Sequence, residues 1–400
     1  MKKIYYFLLV AFTLSTLGVN AQCGALYRDE VFTSFTKTTV TYSTPYNQVM
    51  DIYTPDGDNS SSRPLMLLCH GGSFYGGDRL EPNIVDMCER YAKRGYVTAS
   101  IEYRLTSPFN LLDSTKMLDA VMKAISDAKA AVRYFTQDAN SFNPVYRVDP
   151  NRIIIGGNSA GAILAIHYAY IDDVNEVPAH VQAAIAANGG LDGDSGNPGF
   201  PSDVIGVYNL CGGINDLSWI SPGDEPIISF HGSDDLTVQY NCGDVYEQAP
   251  YAGFDLIDLC GSNAMKPVLD QAGVLNAFYP YPGQGHSPWT TSVSLFEQVD
   301  SFGRNFFYEL LCNTSISEPN SVSRLTFFPN PSSGQIQIRN DQQLFETLQV
   351  LDLQGRRIFE TSLSFGLNTV SVSSLSPGMY VLQTLNDQAK VVSLAKLHKQ

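Results

Sequence analysis

Apolar positions along the chain fall into three regimes. The first is a single block, from Ile4 to about Leu17, behind Lys2 and Lys3 and ahead of Val19-Asn20-Ala21. That layout predicts a secretory signal peptide over residues 1–21 and a mature chain from Gln22. The block is shorter than the roughly 20 residues of a membrane span, and no later segment is long and apolar enough to be one. From there to about residue 312, short continuous apolar runs alternate with helix-period segments. Leu65 to Cys69, Tyr96 to Ile101, Arg152 to Ile155, Val181 to Ala187, Ile227 to Phe230 and Leu275 to Tyr279 predict strands buried on both faces. Thr38 to Tyr42 and Gln48 to Tyr53 alternate instead, and predict an antiparallel start to the sheet. Asn83 to Arg94, Met117 to Gln137, Ala160 to Tyr170 and Ser294 to Leu311 predict helices. Strands alternating with helices imply a doubly wound, mostly parallel α/β sheet.

The third regime follows a polar stretch, 313–323, rich in Ser, Asn and Pro, which predicts a linker. Beyond it, Gln335 to Ile338, Leu348 to Leu351, Thr369 to Val372 and Tyr380 to Thr384 are short strands separated by turn clusters such as Ser376-Pro377-Gly378. They predict a small all-β sandwich over 324–400. The large α/β domain then occupies 22–312.

Charge supports this division. The formal net charge of −15 becomes −17 once Lys2 and Lys3 leave with the signal peptide. Residues 321–400 carry seven Lys or Arg against five Asp or Glu, so the tail is +2 and the body −19. An acidic body repels phosphate backbones, which excludes nucleic acid as a partner class. Seven cysteines in an exported chain predict disulfides with at least one thiol left over. Cys69, closing an apolar run, is the expected free thiol, and Cys242 with Cys260 the expected bridge. Gln22 ahead of Cys23 is too large for an acylation signal, so a lipid anchor is not expected.

Three separated motifs converge on one chemistry. Gly157-Asn158-Ser159-Ala160-Gly161 lies between a predicted strand and a predicted helix. A serine there is turned outward, flanking glycines let the backbone close, and the Ala160 N–H points at developing negative charge. His70-Gly71-Gly72-Ser73 follows another strand, and the Gly71 and Gly72 N–H groups are expected to complete an oxyanion hole with Ala160. His70 itself is expected to orient that loop. Among six histidines, His286 in Pro282-Gly-Gln-Gly-His286-Ser-Pro-Trp289 follows the last strand, where a general base belongs. His231-Gly-Ser-Asp234-Asp235 offers the acid, and Asp235 is expected to face His286 while Asp234 faces water. The order Ser159, Asp235, His286 differs from the orders of chymotrypsin-like and subtilisin-like proteases. No cofactor is called for, and no His or Cys cluster has metal-ligand spacing.

With these residues the stretches HGGSFYGGDR, SIEYRL, VDPNRIIIGGNSAGA, LSWISPGDEPIISFHGSDD and GQGHSPW resemble the carboxylesterases, in the feruloyl or acetyl-xylan esterase branch of the α/β-hydrolases, over about residues 30 to 310. The resemblance implies a secreted serine esterase with an acyl-Ser159 intermediate, acting on esters decorating plant polysaccharide or on small aryl and alkyl esters. It also implies Asp235 as the acid, four residues after His231. The chain departs from the related hormone-sensitive-lipase group at Ser73, Asn158 and Ala162. The tail, with Phe327-Phe-Pro-Asn-Pro-Ser-Ser-Gly334, LDLQGR and Leu375-Ser-Pro-Gly-Met-Tyr-Val, resembles the C-terminal sorting domain of type IX secretion cargo. This implies export through the periplasm to the cell surface or medium, with the secretion machinery as partner.

Competing readings are a prolyl-oligopeptidase-like peptidase, for which no propeller-like repeat precedes the hydrolase, and a non-catalytic surface adhesion module, which would not need Ser, His and Asp together. A carbohydrate-binding tail would want tryptophans, and both, Trp219 and Trp289, lie in the α/β region. Those two could line an aryl pocket or the core. Asp192-Gly-Asp194-Ser-Gly-Asn197 hints at calcium but lacks EF-hand spacing, so a solvated loop is expected.

Overall fold

The computed structural model describes residues 23–246, 256–312, 325, 327–340, 345–352, 356–386 and 391–400. The expected signal peptide and the linker at 313–323 lie outside them. The elements of the larger part run in chain order: β1 (Phe35–Ser43), β2 (Gln48–Pro55), β3 (Arg63–Cys69), α1 (Pro82–Lys93), β4 (Val97–Ile101), α2 (Ser114–Ala139), β5 (Val148–Asn158), α3 (Ala160–Tyr170), α4 (Ala179–Ala187), β6 (Gly206–Leu210), β7 (Gly213–Ile214), β8 (Ile227–Gly232), β9 (Cys242–Asp244), β10 (Asp258–Gly261), α5 (Ser262–Ala272), β11 (Asn276–Tyr281) and α6 (Val293–Cys312). Eight of the strands form one sheet in the order β1-β2-β4-β3-β5-β6-β8-β11. The β1–β2 and β2–β4 pairs are antiparallel and the remaining pairs parallel.

The continuous apolar runs have a direct cause. Every residue of β3 is buried. Leu65, Leu67 and Cys69 pack on one face with Ala128 and Val132 of α2 and Ile163 of α3, while Met66 and Leu68 pack on the other with Tyr91 of α1 and Phe307 of α6. Successive side chains of a strand point to opposite faces, so a strand covered by helices on both sides has no polar alternation to show.

Two expectations need correction. Val181 to Ala187 is the helix α4, not a strand. Five of its nine residues are alanine, the strongest helix former, and its buried residues, Val181 and Ile185, are four apart on one helix face. The strand that fills the sheet there is β6, five fully buried residues that lie further along, in a stretch without readable periodicity. The Asp192–Asn197 loop is not the solvated loop expected, since only Asp194 of its residues is exposed. The Asp194 carboxylate accepts from Tyr46, Ser126 and Arg104, and the Asp192 and Gly196 carbonyls accept from Arg133.

A second, three-stranded sheet, β7-β10-β9, stands beside the main one. The Cys242–Cys260 disulfide joins directly opposed residues of its β9–β10 pair, as the sequence suggests. Cys23 pairs with Cys312, and Cys69, Cys88 and Cys211 are buried free thiols. In the tail, β12 (Phe327–Phe328), β13 (Gln335–Asn340) and β16 (Gly366–Ser371) form one antiparallel sheet. Strands β14 (Thr347–Leu351), β15 (Arg357–Ser362), β17 (Gly378–Leu385) and β18 (Val391–Lys399) form another. Ile336 and Ile338 of the first meet Leu348, Val350 and Leu382 of the second in one core, the small β-sandwich that turn spacing predicts.

Helices α1 and α6 are tied beneath the sheet by charge. Arg94, just past the end of α1, donates two hydrogen bonds, of 2.6 and 2.7 Å, to the Asp300 carboxylate of α6, and both residues are buried. A buried pair of this kind holds only while both partners are present. Asp300→Ala leaves the guanidinium uncompensated, and the expected loss of unfolding free energy is about 3–5 kcal/mol, read from the urea midpoint. Replacing both residues with apolar ones of similar volume recovers most of that loss.

Candidate active site

The site is built where β3, β5, β6, β8 and β11 end along one edge of the sheet. Strand β5 stops at Asn158 and α3 starts at Ala160, so the chain reverses within the single residue Ser159. Its φ of 54° and ψ of −117° are a conformation that side chains other than glycine rarely adopt. The turn is pinned by the Ser159 N–H, which donates to the Leu210 carbonyl at the end of β6 (2.8 Å). It closes because Gly157 and Gly161 are bare: a Cβ on either would overlap the Cys69 carbonyl oxygen. All of α3 behind it is buried, so its N-terminal dipole acts at Ser159 with little solvent screening.

The loops after β8 and β11 are zipped together. The Ser233 and Asp234 N–H groups donate to the Tyr281 and Gln284 carbonyls, and a Cβ on Gly232 would overlap the Gly285 carbonyl oxygen. This brings His286 Nδ1 to 2.6 Å from Asp235 Oδ2 and leaves Nε2 2.8 Å from Ser159 Oγ. Asp235 is 2% exposed and Ser159 8%. Asp234 is exposed and bonds Ser233, so the structure brings Asp235 to His286 and leaves Asp234 in water.

Burial works against the Asp235 carboxylate, but the donors around it win. His231 Nε2 lies 3.2 Å away, His286 Nδ1–H donates to it, and the Thr237 and Val238 N–H groups donate to the other oxygen. Its pKa is held well below the usual carboxylate range. For His286, burial opposes the charged ring, while the neighbouring Cys211 sulfur and the Asp235 carboxylate outweigh it and push the pKa up.

The glycine loop departs from expectation in one donor. The Gly71 N–H donates to Glu81 Oε2 at 2.6 Å, so it is already committed to a carboxylate. The Gly72, Ser73 and Ala160 N–H groups have no acceptor among the described residues. Gly72 adopts φ 112°, where any Cβ would overlap the Gly76 carbonyl. His70 is buried, stacks on Tyr103 with ring centroids 4.2 Å apart and bonds its own loop, the orienting role its position suggests.

Three further residues join these loops. Asn158 Nδ2 donates to Glu81 Oε1 (2.8 Å), and its Oδ1 accepts from Ser287 Oγ (3.0 Å) and Trp289 Nε1 (3.2 Å). One amide therefore links the serine turn, the glycine loop and the histidine loop. Cys211 closes the group: its Sγ lies 2.9 Å from Ser287 Oγ and 3.9 Å from His286 Nε2. Cys211, Asp235 and His286 present ligand atoms within 4.8 Å of one another. In this arrangement His286 turns Nδ1 to Asp235 and Nε2 to Ser159. Sequence reasoning missed Glu81, Asn158 and Cys211. Cys211 directly follows β6, in the stretch without readable periodicity, and so gave no signal of its own.

A serine held in a strained strand-to-helix turn at the edge of a mostly parallel sheet, with a histidine and a buried aspartate on later loops, defines the α/β-hydrolase class. Within it, residues 50–191 match the BD-FAE family model, and residues 326–397 match that of the "Secretion system C-terminal sorting domain". The chain thus joins an esterase-like α/β-hydrolase domain to a C-terminal secretion sorting tail. Among curated proteins, it is 28% identical over 116 residues to para-nitrobenzyl esterase of Bacillus subtilis, covering 28% of this chain and 22% of that one. It is also 28% identical over 174 residues to non-reducing polyketide synthase pkbA of Emericella nidulans, covering 42% of this chain and 7% of that one. The match therefore spans less than a quarter of either relative. The propionate-bound esterase Est2 of Thermogutta terrifontis superposes with a TM-score of 0.50 at 20% identity, covering 71% of this chain and 97% of that one, and shares the fold. No helix among the described residues is long and apolar enough to cross a membrane.

Asn158→Ala strands the Trp289 indole, leaves the Ser287 hydroxyl with Cys211 Sγ alone, and takes one donor from Glu81. Since a buried orphan costs about 1–3 kcal/mol, the expected loss is about 2–4 kcal/mol, measured by denaturant unfolding. Asn158→Asp sets a second carboxylate against Glu81 and is not expected to restore it.

Proposed function

We propose that this chain is an exported serine ester hydrolase working through an acyl-Ser159 intermediate. The observation that carries the reading is the unbroken line from Ser159 Oγ to His286 Nε2 and from His286 Nδ1 to the buried Asp235 carboxylate. As Ser159 Oγ attacks the ester carbonyl, His286 takes its proton, and Asp235 fixes the tautomer and stabilises the imidazolium. The carbonyl oxygen, now negative, is received by the Ala160 and Gly72 N–H groups. Ser73 N–H stands in for Gly71, whose donor Glu81 holds. His286 returns the proton to the leaving alcohol, and water then repeats the attack on the acyl-enzyme.

The BD-FAE match and the esterases among the relatives support esters as substrates, on plant polysaccharide or on small aryl and alkyl alcohols. In this reading residues 1–21 are removed on export and 22–312 form the catalytic domain. After a linker at 313–323, residues 324–400 engage the type IX secretion machinery. An adhesion module with a lost site is disfavoured by the intact contacts among Ser159, His286 and Asp235.

Ser159→Ala should abolish turnover of a para-nitrophenyl ester and labelling by a fluorophosphonate, with folding retained. Asp235→Asn is expected to lower kcat by about four orders of magnitude, and Asp234→Asn to leave it nearly unchanged; the reverse ranking would reassign the acid.

The base must be neutral to accept a proton, so kcat/KM should fall as pH drops through the free-enzyme pKa of His286. Because the Cys211 sulfur and the Asp235 carboxylate together raise that pKa, the limb should lie above the ordinary imidazole value of about 6.5 and move to lower pH in Asp235→Asn. A limb that stays in place would count against the pairing.

A further inference from the structure

Two concave spaces meet at Ser159. One, about 830 Å³, is mostly apolar and includes Leu111, Met117, Met122, Ile163, Trp219 and Val238 in its lining. The other, about 570 Å³ and more open to solvent, is bounded by the glycine loop, Glu81, Asn158, His286 and Thr290. Four residues border both: Ser73, Ser159, Thr237 and Tyr246. Two of these are bonded across the boundary, Ser73 Oγ to Tyr246 OH. Each has a left-handed φ, 56° for Ser73 and 57° for Tyr246, which a non-glycine residue holds only where its surroundings enforce it. The enforcement is visible at Tyr246. Its N–H donates to the Thr237 carbonyl (3.1 Å), and the Val245 N–H donates to the Ile257 carbonyl (3.1 Å). The same hairpin is clamped at its base by Cys242–Cys260.

His286 borders only the open space, and this decides which part of an ester goes where. The imidazolium must hand its proton to the departing alcohol oxygen, so the alcohol lies on the His286 side. The acyl chain, bonded to the same carbonyl carbon, then extends into the apolar space that His286 does not reach. We propose that the Ser73–Tyr246 hydrogen bond is the wall that sorts the two halves of the substrate, with Tyr246 as a specificity-determining residue. An apolar acyl chain of several carbons is taken into the apolar chamber, and a hydroxylated alcohol, free to be large, is left in the more open cleft. This rests on the reading of Ser159 and His286 as the hydrolytic pair.

The test uses the mature chain with para-nitrophenyl acetate, butyrate and octanoate, and with octanoyl esters of methanol and glucose. Wild type should raise kcat/KM at least tenfold from acetate to octanoate and treat the two octanoyl alcohols alike within threefold. Tyr246→Ala should bring the octanoate-to-acetate ratio to within threefold. Tyr246→Phe, which keeps the ring and loses the bond, should fall between the two. Thermal unfolding of each variant establishes that it is folded. A wild-type preference for acetate, an equal loss on all esters in a folded Tyr246→Ala, or a Tyr246→Phe identical to wild type would overturn the proposal. Fluorophosphonate labelling separates the two levels. An unlabelled Ser159 sinks the hydrolase reading, whereas a labelled Ser159 with a flat acyl series sinks the wall alone.

Discussion

The active-site edge depends on how closely α3 approaches the end of β3. Gly157 and Gly161 sit against the Cys69 carbonyl with no room for a methyl group on either. That proximity turns the chain at Ser159 through a conformation it would otherwise avoid, and so aims the hydroxyl away from the sheet. Because β3 continues directly into His70 and the glycine loop, the same contact also sets the distance from Ser159 to the backbone donors opposite. The Ser159 turn and the glycine loop are thus placed by one packing event, and side-chain bonding refines what the backbone has already fixed.

The refinement is electrostatic and shared. The Asp235 carboxylate is buried, yet it is reached by two histidines and two backbone N–H groups, so desolvation is offset without neutralising it. The Asn158 amide does for geometry what Asp235 does for charge. It donates to the loop that carries Gly71 and accepts from the loop that carries His286, so neither can shift without loosening the other. Networks of this kind are favourable only when every member is satisfied, which makes them rigid as well as stable.

Much of this was legible in the sequence, for identifiable reasons. Strands of the central sheet betray themselves by unbroken apolar runs, and the serine turn by its two glycines. Asp235 was preferred over Asp234 through the resemblance around His231, and burial then separates the two acids. The failures are equally physical. In α4, alanine made a helix look like a buried strand, because alanine is apolar without saying which face it covers. β6 hid in a long irregular stretch. Gly71 was misread because Glu81, ten residues on, gives no sign in the sequence that it will capture a backbone donor. Asn158 occupies a position that the serine motif leaves open, and only its three-dimensional neighbours give it work.

The Cys23–Cys312 disulfide joins the first described residue to the last residue of α6. The whole hydrolase fold is thereby a covalently closed ring spanning 289 positions of sequence, and on a chain-entropy view closing so long a loop disfavours the unfolded state by about 6 kcal/mol. A ring has no free ends. Everything after residue 312 lies outside that ring and leaves it by a single peptide bond, so a cut in the chain beyond Cys312 would leave the Cys23–Cys312 closure intact.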